Sequence, residues 1–241
     1  MNQLVDMHCH ILPGIDDGSR NMEQSINMIK IAYDEGIRTI ILTPHYHPAK
    51  GTHNISKWEE TYEKLKTKVK SENIDIDFYL GAELFYTHDA SEYIENGQVI
   101  SMSGSDYMLV EFRPETEFSL IKSAVYDILS AGKKPIIAHI ERYDCIVGNI
   151  ERVEDLIDLG AYIQVNASTV TGGMGLSIKF FIKKLLKRNL VHFIGTDAHS
   201  DGHRSPRMAE CFKYIAKKCG EEYALEVMRD NALKIISNQE I

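Results

Sequence analysis

Short apolar runs alternate with amphipathic helical patterns along the chain, and this alternation most constrains the fold. Seven short, largely apolar runs are predicted to be strands, and one of them, Arg38–Thr43, has the β-branched apolar pattern typical of a strand buried on both faces. They lie near Leu4, Thr39, Ile76, Tyr107, Pro135, Tyr162 and Val191. Helical patterns fall between them, the first with a capping box of Asn21 and Gln24. The sequence therefore predicts an α/β fold, and seven such units in 241 residues favour one barrel domain over residues 1–241.

Composition and charge exclude several classes of protein. The chain is 44% hydrophobic and 26% charged, as ordinary soluble globular proteins are. It has neither an apolar run long enough for membrane insertion nor a signal-peptide pattern, so we expect a cytoplasmic protein. A net charge of -8 without a long basic run argues against a nucleic-acid partner. The four cysteines show no C-x-x-C spacing and are expected to be reduced.

Residues of the types that bind metals lie at the carboxyl ends of the predicted strands. A His, Asp or Glu occupies this place in all but one strand, and the exception ends in Asn166. The strand-end candidates are His8, His10, His45, Glu83, Glu111, His139, Asp197 and His199. The carboxyl ends of barrel strands converge on the face where active sites form. These residues are therefore predicted to meet at one site.

The opening segment has the pattern of a metal site. His8 and His10 are two residues apart, so their side chains share one face of a strand. A loop with Pro13 and Gly18 follows and can bring the carboxylate of Asp17 back over that strand. With Asp17 included, nine candidate ligands are too many for one ion and enough for two or three. Histidines and carboxylates without thiolates favour Mn, Fe or Zn.

A cluster of divalent ions predicts hydrolysis, because a hydroxide that bridges two ions is a strong nucleophile at neutral pH. Phosphate esters are the natural substrates, since cations can bind the phosphoryl oxygens while an arginine stabilises the developing charge. Arg142 and Arg204 are placed for this role, although either could form a surface ion pair instead. A cysteine-based phosphatase is disfavoured because no cysteine is followed six residues later by an arginine.

Several motifs resemble those of the polymerase and histidinol phosphatase (PHP) superfamily. They read D-M-H-C-H, T-P-H-Y-H, G-A-E, L-V-E-F, I-A-H-I-E-R-Y-D and T-D-A-H. Within the superfamily the chain resembles the bacterial manganese-dependent protein-tyrosine phosphatases of capsule and exopolysaccharide loci. H-I-L-P-G-I-D-D-G-S and A-H-I-E-R-Y-D are the more specific segments. The resemblance implies a distorted, TIM-like (β/α)7 barrel of the PHP type and phosphotyrosine as the substrate.

The resemblance also implies three divalent ions, manganese first, with iron or zinc as alternatives. The ligand sets that it implies are His8, His10, Glu83 and Asp197 for one ion, Glu83, Glu111 and His139 for the second, and Asp17, His45 and His199 for the third. Arg142 and Arg204 would hold the phosphate. The implied partner is a tyrosine-phosphorylated bacterial kinase that regulates polysaccharide export, or the phosphotyrosine tail of that kinase.

The predicted mechanism is direct attack of a metal-bridging hydroxide on phosphorus, without a phosphoenzyme. Asp16 and His199 are the candidate proton donors to the leaving group.

Three alternative functions stay open at this point. A histidinol-phosphate phosphatase, or another small-molecule phosphoesterase, would share the chemistry, because fold and metals do not fix a substrate. An amidohydrolase-like enzyme that cleaves C–N bonds would usually have a bridging lysine where this chain offers Glu83 and Glu111. A metal-stabilised binding protein without catalysis is disfavoured because the ligand set is complete.

Overall fold

The computed structural model describes residues 3–48 and 54–241, and within these residues the strands pair in parallel. The strands are β1 (Leu4–Cys9), β2 (Ile37–Leu42), β3 (His45–Tyr46), β4 (Asp77–Leu80), β5 (Glu83–Phe85), β6 (Tyr107–Glu111), β7 (Lys134–Ile137), β8 (Tyr162–Asn166) and β9 (Phe193–Gly195). One sheet has the order β1-β2-β4 and the other β3-β5-β6-β7-β8-β9.

Two of the seven predicted strands are interrupted where the chain passes from one sheet to the other. β2 and β3 are separated at Pro44, which has no N–H to donate to a strand ladder. β4 and β5 are separated at Gly81, whose N–H still donates to the carbonyl of Leu42 at 2.8 Å. If each pair is counted as one interrupted strand, the seven predicted strands follow one another in chain order. The sequence analysis did not predict the interruptions.

The two sheets meet again beyond the end of β9. Cys9 forms a parallel bridge with Ala198, and the N–H of His10 donates to the carbonyl of Ala198 at 2.8 Å. The N–H of Asp197 donates to the carbonyl of His8 at 2.7 Å. These bonds join β1 to the segment after β9 and give the distorted barrel that the sequence predicts.

Helices lie between the strands and after the last of them. They are α1 (Met22–Asp34), α2 (Ile55–Ser71), α3 (Ala90–Glu95), α4 (Phe118–Ser130), α5 (Ile150–Asp158), α6 (Ala167–Thr171), α7 (Leu176–Lys187), α8 (Ala209–Cys219), α9 (Glu221–Leu225) and α10 (Asn231–Ile236). The side chain of Asn21 caps α1 by accepting from the N–H of Gln24, as predicted. The Gln24 side chain accepts a hydrogen bond from the N–H of Arg20, so it does not complete the reciprocal half of the capping box with Asn21.

Most residues of the strands are buried, although Asp77 at the start of β4 is exposed. All six residues of β1 are buried, and these include Asp6 and His8. The barrel interior and the layer between strands and helices form two apolar clusters. None of the helices in residues 3–48 and 54–241 has both the length and the apolar character needed to cross a membrane.

Gly195 allows β9 to pass close to β1. A Cβ at this position would lie 2.6 Å from the Cβ of His8 and 3.2 Å from Nε2 of Gln164. We expect Gly195→Ala to lower the free energy of unfolding by about 1–3 kcal/mol, because it overpacks this contact. Urea unfolding of the chelator-treated protein measures the effect. Gly202→Ala is the control, because a Cβ there would lie 4.0 Å from Ser200 Oγ, its nearest neighbour among the described residues. Equal stabilities for the two variants would contradict the prediction.

Candidate metal centre

Glu83 lies at the centre of the cluster that the strand ends form. Its side chain is fully buried. Oε1 is 3.1 Å from Nε2 of His8 and 2.9 Å from Nε2 of His139. Oε2 is 3.3 Å from Nε2 of His10 and 3.0 Å from Nδ1 of His45. One carboxylate thus brings together four imidazoles from three separate segments of the barrel face.

Glu111 and Asp17 extend the cluster toward its open side. Glu111 Oε1 lies 3.0 Å from Nδ1 of His45, and its Oε2 lies 3.7 Å from Nε2 of His139. Asp17 Oδ1 lies 3.3 Å from Nε2 of His45 and 3.6 Å from Nε2 of His199. All nine residues proposed as ligands from the sequence therefore lie in one contiguous group.

Three sets of ligand atoms within the described residues are close enough together to hold an ion. They are His10, Asp17, His45 and His199; His8, His10 and Asp197; and His45, Glu83 and Glu111. These sets share most members with those that the resemblance implies. His45 differs, because its Nδ1 faces Glu83 and Glu111 while its Nε2 faces Asp17. The two nitrogens of His45 thus connect two of the sets.

The chemistry of the cluster fits divalent cations. His45 Nδ1 and Glu83 Oε2 are buried and only 3.0 Å apart, yet neither makes a hydrogen bond. Buried polar atoms nearly always have a hydrogen-bond partner, so two such atoms directed at one point are expected of ligands to a shared cation. Oxygen and imidazole ligands without a thiolate suit Mn, Fe or Zn.

The pKa values show how strongly the carboxylates act on the imidazoles. Burial lowers the pKa of His45 and His139, but the adjacent carboxylates of Glu111 and Glu83 outweigh it and raise these pKa values to about 10 and about 9. Burial likewise raises the pKa of Glu83, but the imidazoles around it bring that pKa well below its ordinary value. Protons on the imidazoles therefore balance the carboxylates when no ion is bound.

Asp16 orients His10. Asp16 Oδ2 lies 2.7 Å from Nδ1 of His10 and accepts from the N–H of His45 at 3.0 Å, while Oδ1 accepts from the N–H of Gly18 at 2.9 Å. Burial raises the pKa of Asp16, but the bond to His10 outweighs it and lowers the pKa to about 2. A carboxylate on the outer nitrogen of a ligating histidine fixes its tautomer and orientation. The geometry therefore favours a positioning role for Asp16 over that of proton donor.

Gln164 and Asn166 were not among the predicted site residues, yet they support the cluster from β8. Gln164 Oε1 lies 3.2 Å from Nδ1 of His8 and accepts from the N–H of His139 at 2.6 Å. Asn166 donates through Nδ2 to Oδ2 of Asp197 at 3.0 Å. Both belong to the one predicted strand without a ligand, and strand alternation places residues 164 and 166 on the same face. That alternation is the signal that could have identified them.

Two candidate ligands have backbone conformations that are unusual outside glycine. His139 has φ 32° and Asp197 has φ 51°. Such conformations cost about 1–3 kcal/mol each and persist only where surrounding contacts hold them. Two hydrogen bonds provide these contacts. The N–H of His139 donates to Oε1 of Gln164, and the N–H of Asp197 donates to the carbonyl of His8.

The two oxygens of Asp197 face different groups. Oδ1 lies 3.7 Å from Nε2 of His8 and 3.5 Å from Nε2 of His10. Oδ2 accepts from a guanidinium N–H of Arg142 and lies 2.9 Å from Nη2 of Arg204, which donates to the backbone carbonyl of Asp197 at 3.1 Å. Asp197 therefore connects the imidazole cluster to the pair of arginines that the sequence singled out.

A cleft of about 580 Å³ opens beside the cluster. Its lining is made by Ile15, Asp16, Asp17, His45, His47, Phe85, Glu111 and Arg113. The rings of His47 and Phe85 stack with their centroids 4.4 Å apart. Four of the lining residues are also predicted site residues, so a molecule in this cleft would contact the candidate metal centre directly.

Residues 4–237 match the family described as Capsular polysaccharide synthesis, CpsB/CapC. The chain belongs to this family. It is 36% identical to tyrosine-protein phosphatase CpsB of Streptococcus pneumoniae, over 98% of this chain and 99% of that protein. It is 30% identical to tyrosine-protein phosphatase YwqE of Bacillus subtilis, over 99% of this chain and 93% of that protein.

Comparison with solved structures supports the fold described above for this CpsB/CapC-family chain. It matches a chain from the crystal structures of YwqE and CpsB, described as unique metal-dependent tyrosine phosphatases, with a TM-score of 0.88 and 30% identity. That match covers 99% of this chain and 96% of the other. A phosphotriesterase homology protein from Escherichia coli, at 12% identity and a TM-score of 0.60, shares the fold alone. The predicted family and barrel fold are thus confirmed.

The position of Asp16 predicts that it acts on metal binding through His10. We expect Asp16→Asn to weaken divalent-metal affinity about 10- to 100-fold, as loss of a carboxylate behind a ligating histidine typically does. Competition with a fluorescent chelator measures the affinity. Asp201→Asn is the control, because the carboxylate of Asp201 accepts bonds from Gln24 and Asn27 of α1. Unchanged metal affinity in Asp16→Asn would rule out the positioning role.

The raised imidazole pKa values predict that metal binding releases protons. Below their pKa values of about 10 and about 9, His45 and His139 carry protons in the metal-free protein. A binding ion displaces these protons, so metal affinity should rise with pH from about 6 to 9. Calorimetry at pH 7 in buffers of different ionisation enthalpy measures the protons released. The same heat in every buffer would contradict this account.

Proposed function

We propose that this chain is a metal-dependent phosphatase that hydrolyses phosphotyrosine in proteins. The observation that carries the proposal is the double role of Asp197, which faces the imidazole cluster with one oxygen and two arginines with the other. Such a site offers ligands for cations and donors for phosphoryl oxygens side by side. Relatives named tyrosine-protein phosphatases that align over nearly the whole chain support the choice of phosphotyrosine.

Three divalent ions, manganese first, would be held by nine residues of the cluster. The proposed ligands are His8, His10, Asp17, His45, Glu83, Glu111, His139, Asp197 and His199. The ions would supply a nucleophile derived from water and would neutralise charge on the phosphoryl oxygens. The orphaned atoms of His45 and Glu83 and the dense carboxylate–imidazole packing support this assignment.

Arg142 and Arg204 would bind and orient the phosphoryl group. A guanidinium has five N–H donors in a planar fork that matches phosphate oxygens. The hydrogen bonds with Asp197 occupy only part of this capacity and fix the two groups beside the cluster. The arginine side chains are 33% and 42% exposed, so substrate oxygens can reach them.

The cysteines support direct hydrolysis without a phosphoenzyme. Burial raises the pKa of all four thiols, and for the fully buried Cys9 the pKa lies well above its ordinary value. Cys9 Sγ faces the carbonyl of Ile41 at 3.7 Å and not the cluster. A thiol must ionise to act as a nucleophile, so these groups suit packing and not covalent catalysis.

The leaving group explains why tyrosine esters suit this site. With a pKa of about 2, Asp16 carries no proton to donate near neutral pH. His199 is a proposed metal ligand, and a ring nitrogen that binds an ion has no proton to donate. The phenol of tyrosine has a pKa of about 10 and departs with less help from an acid than an alkyl alcohol needs. The site therefore favours aryl over alkyl phosphates.

The proposed partner is the tyrosine-phosphorylated kinase of a capsule or exopolysaccharide system, or its phosphotyrosine tail. The family description, capsular polysaccharide synthesis, supports this choice of pathway. We also propose a cytoplasmic location, where the four free cysteines would stay reduced.

The test compares hydrolysis of a phosphotyrosine peptide with hydrolysis of histidinol phosphate. The protein is stripped with a chelator and then supplied with Mn, Zn or Mg separately. We expect activity that is selective for phosphotyrosine and restored best by Mn. Activity on histidinol phosphate alone would overturn the substrate assignment. Absence of any metal-restored phosphatase activity would overturn the whole proposal.

A variant arm separates phosphate binding from metal binding. Arg204→Ala should lower kcat/KM for the peptide about 100-fold, the usual cost of losing one donor to a developing oxyanion, while bound metal stays constant. Arg188→Ala is the control, because Arg188 pairs with Glu154 at 3.0 Å on the helical surface. Loss of metal from Arg204→Ala would assign that arginine to the support of Asp197 instead.

A further inference from the structure

Three neighbouring strands place a second layer of side chains beyond the candidate ligands. β3, β5 and β6 lie side by side, with His45 in register with Glu83 and Phe85 in register with Glu111. Two residues after each of the ligands His45, Glu83 and Glu111, the chain presents His47, Phe85 and Arg113, and all three line the cleft. Residues two apart in a strand share a face and are separated by about 6.6 Å, as Glu83 and Phe85 are in β5. The second layer therefore lies about one tyrosine ring away from the ligands.

An aromatic pair forms one part of this second layer. The rings of His47 and Phe85 lie 11° from parallel, with centroids 4.4 Å apart, and both residues are partly exposed. Flat aromatic surfaces favour stacking or edge contacts with another ring. If the phosphoryl group lies at the metal layer, the phenyl ring of phosphotyrosine reaches this pair.

Arg113 forms the charged part of the second layer. It is exposed, and no carboxylate in the described part of the chain lies within ion-pair distance of it. The carboxylates that line the cleft face imidazoles instead, Asp16 toward His10, Asp17 toward His45 and Glu111 toward His45 and His139. The cleft thus offers the guanidinium of Arg113 in the same lining as the aromatic pair of His47 and Phe85.

We propose that Arg113 makes this site selective for phosphotyrosine with an acidic residue next to it in the substrate chain. The aromatic pair of His47 and Phe85 holds the phenyl ring, and the Arg113 guanidinium pairs with the neighbouring carboxylate. This inference rests on the proposed phosphotyrosine phosphatase function. It assigns Arg113 a role that differs from that of Arg142 and Arg204, which bind the phosphoryl group itself.

The test uses three peptides that differ only beside the phosphotyrosine, with Glu, Ala or Lys at both adjacent positions. The measured quantity is the ratio of kcat/KM between peptides for the Mn-loaded protein. We expect the Glu peptide to exceed the Ala peptide about fivefold, the size of effect that a partly exposed ion pair supports, and the ratio to shrink at high salt. Arg113→Ala should bring the ratio near one, and Arg113→Glu should reverse it in favour of the Lys peptide.

A binding measurement checks the same preference without turnover. Peptides that carry a nonhydrolysable difluorophosphonate in place of the phosphate should show the same order of dissociation constants in fluorescence polarisation. Lys184→Ala is the matched control, because it removes an exposed cation from α7 and should leave the ratios unchanged.

The outcomes separate this inference from the proposed function. If Mn restores turnover of all three peptides but Arg113→Ala and Arg113→Glu keep the wild-type ratios, the inference is wrong and the function stands. If the Arg113 variants lose kcat/KM equally for every peptide and for para-nitrophenyl phosphate, Arg113 acts on the phosphoryl group and the inference is also wrong. If no phosphotyrosine substrate is hydrolysed with any metal, the proposed function itself fails.

Discussion

The buried carboxylate of Glu83 is the group on which the arrangement of the barrel face depends. Burying an ionised carboxylate costs several kcal/mol unless partners compensate for it. Here the compensation comes from His8, His10, His45 and His139, which lie on three separate segments of the chain. The barrel must therefore bring these segments together within hydrogen-bond distance of one side chain. Both the packing of β1 against β9 and the interruption between β4 and β5 serve this convergence.

Around this core the side chains divide into layers with different chemistry. The ligands form the deepest layer, and Asp16 and Gln164 fix the orientation of two of the histidines from behind. Asp197 joins this layer to Arg142 and Arg204. The cleft adds a further layer two residues along three neighbouring strands. In the proposed function, metal binding, phosphate binding and recognition of the substrate chain would thus be distributed outward from Glu83.

The order of the strands and the nine candidate ligands could be predicted because both depend on local patterns. A buried parallel strand requires an apolar run, and the carboxyl ends of such strands meet on one face. The interruptions at Pro44 and Gly81 were missed, because they arise from a change of pairing partner between two sheets. Gln164 was missed because its role depends on His8 and His139, which are remote in sequence.

The sequence by itself determined which residues are available for metal binding, since the residue type and its place at a strand end decide what a side chain can ligate. It also determined the family, through motifs that span most of the chain. Only the tertiary structure decided how these residues are used. In the structure Asp16 lies beside His10, His45 belongs to two candidate ligand sets, and Arg113 lines the cleft. Each of these arrangements depends on atoms that come together only when the barrel closes.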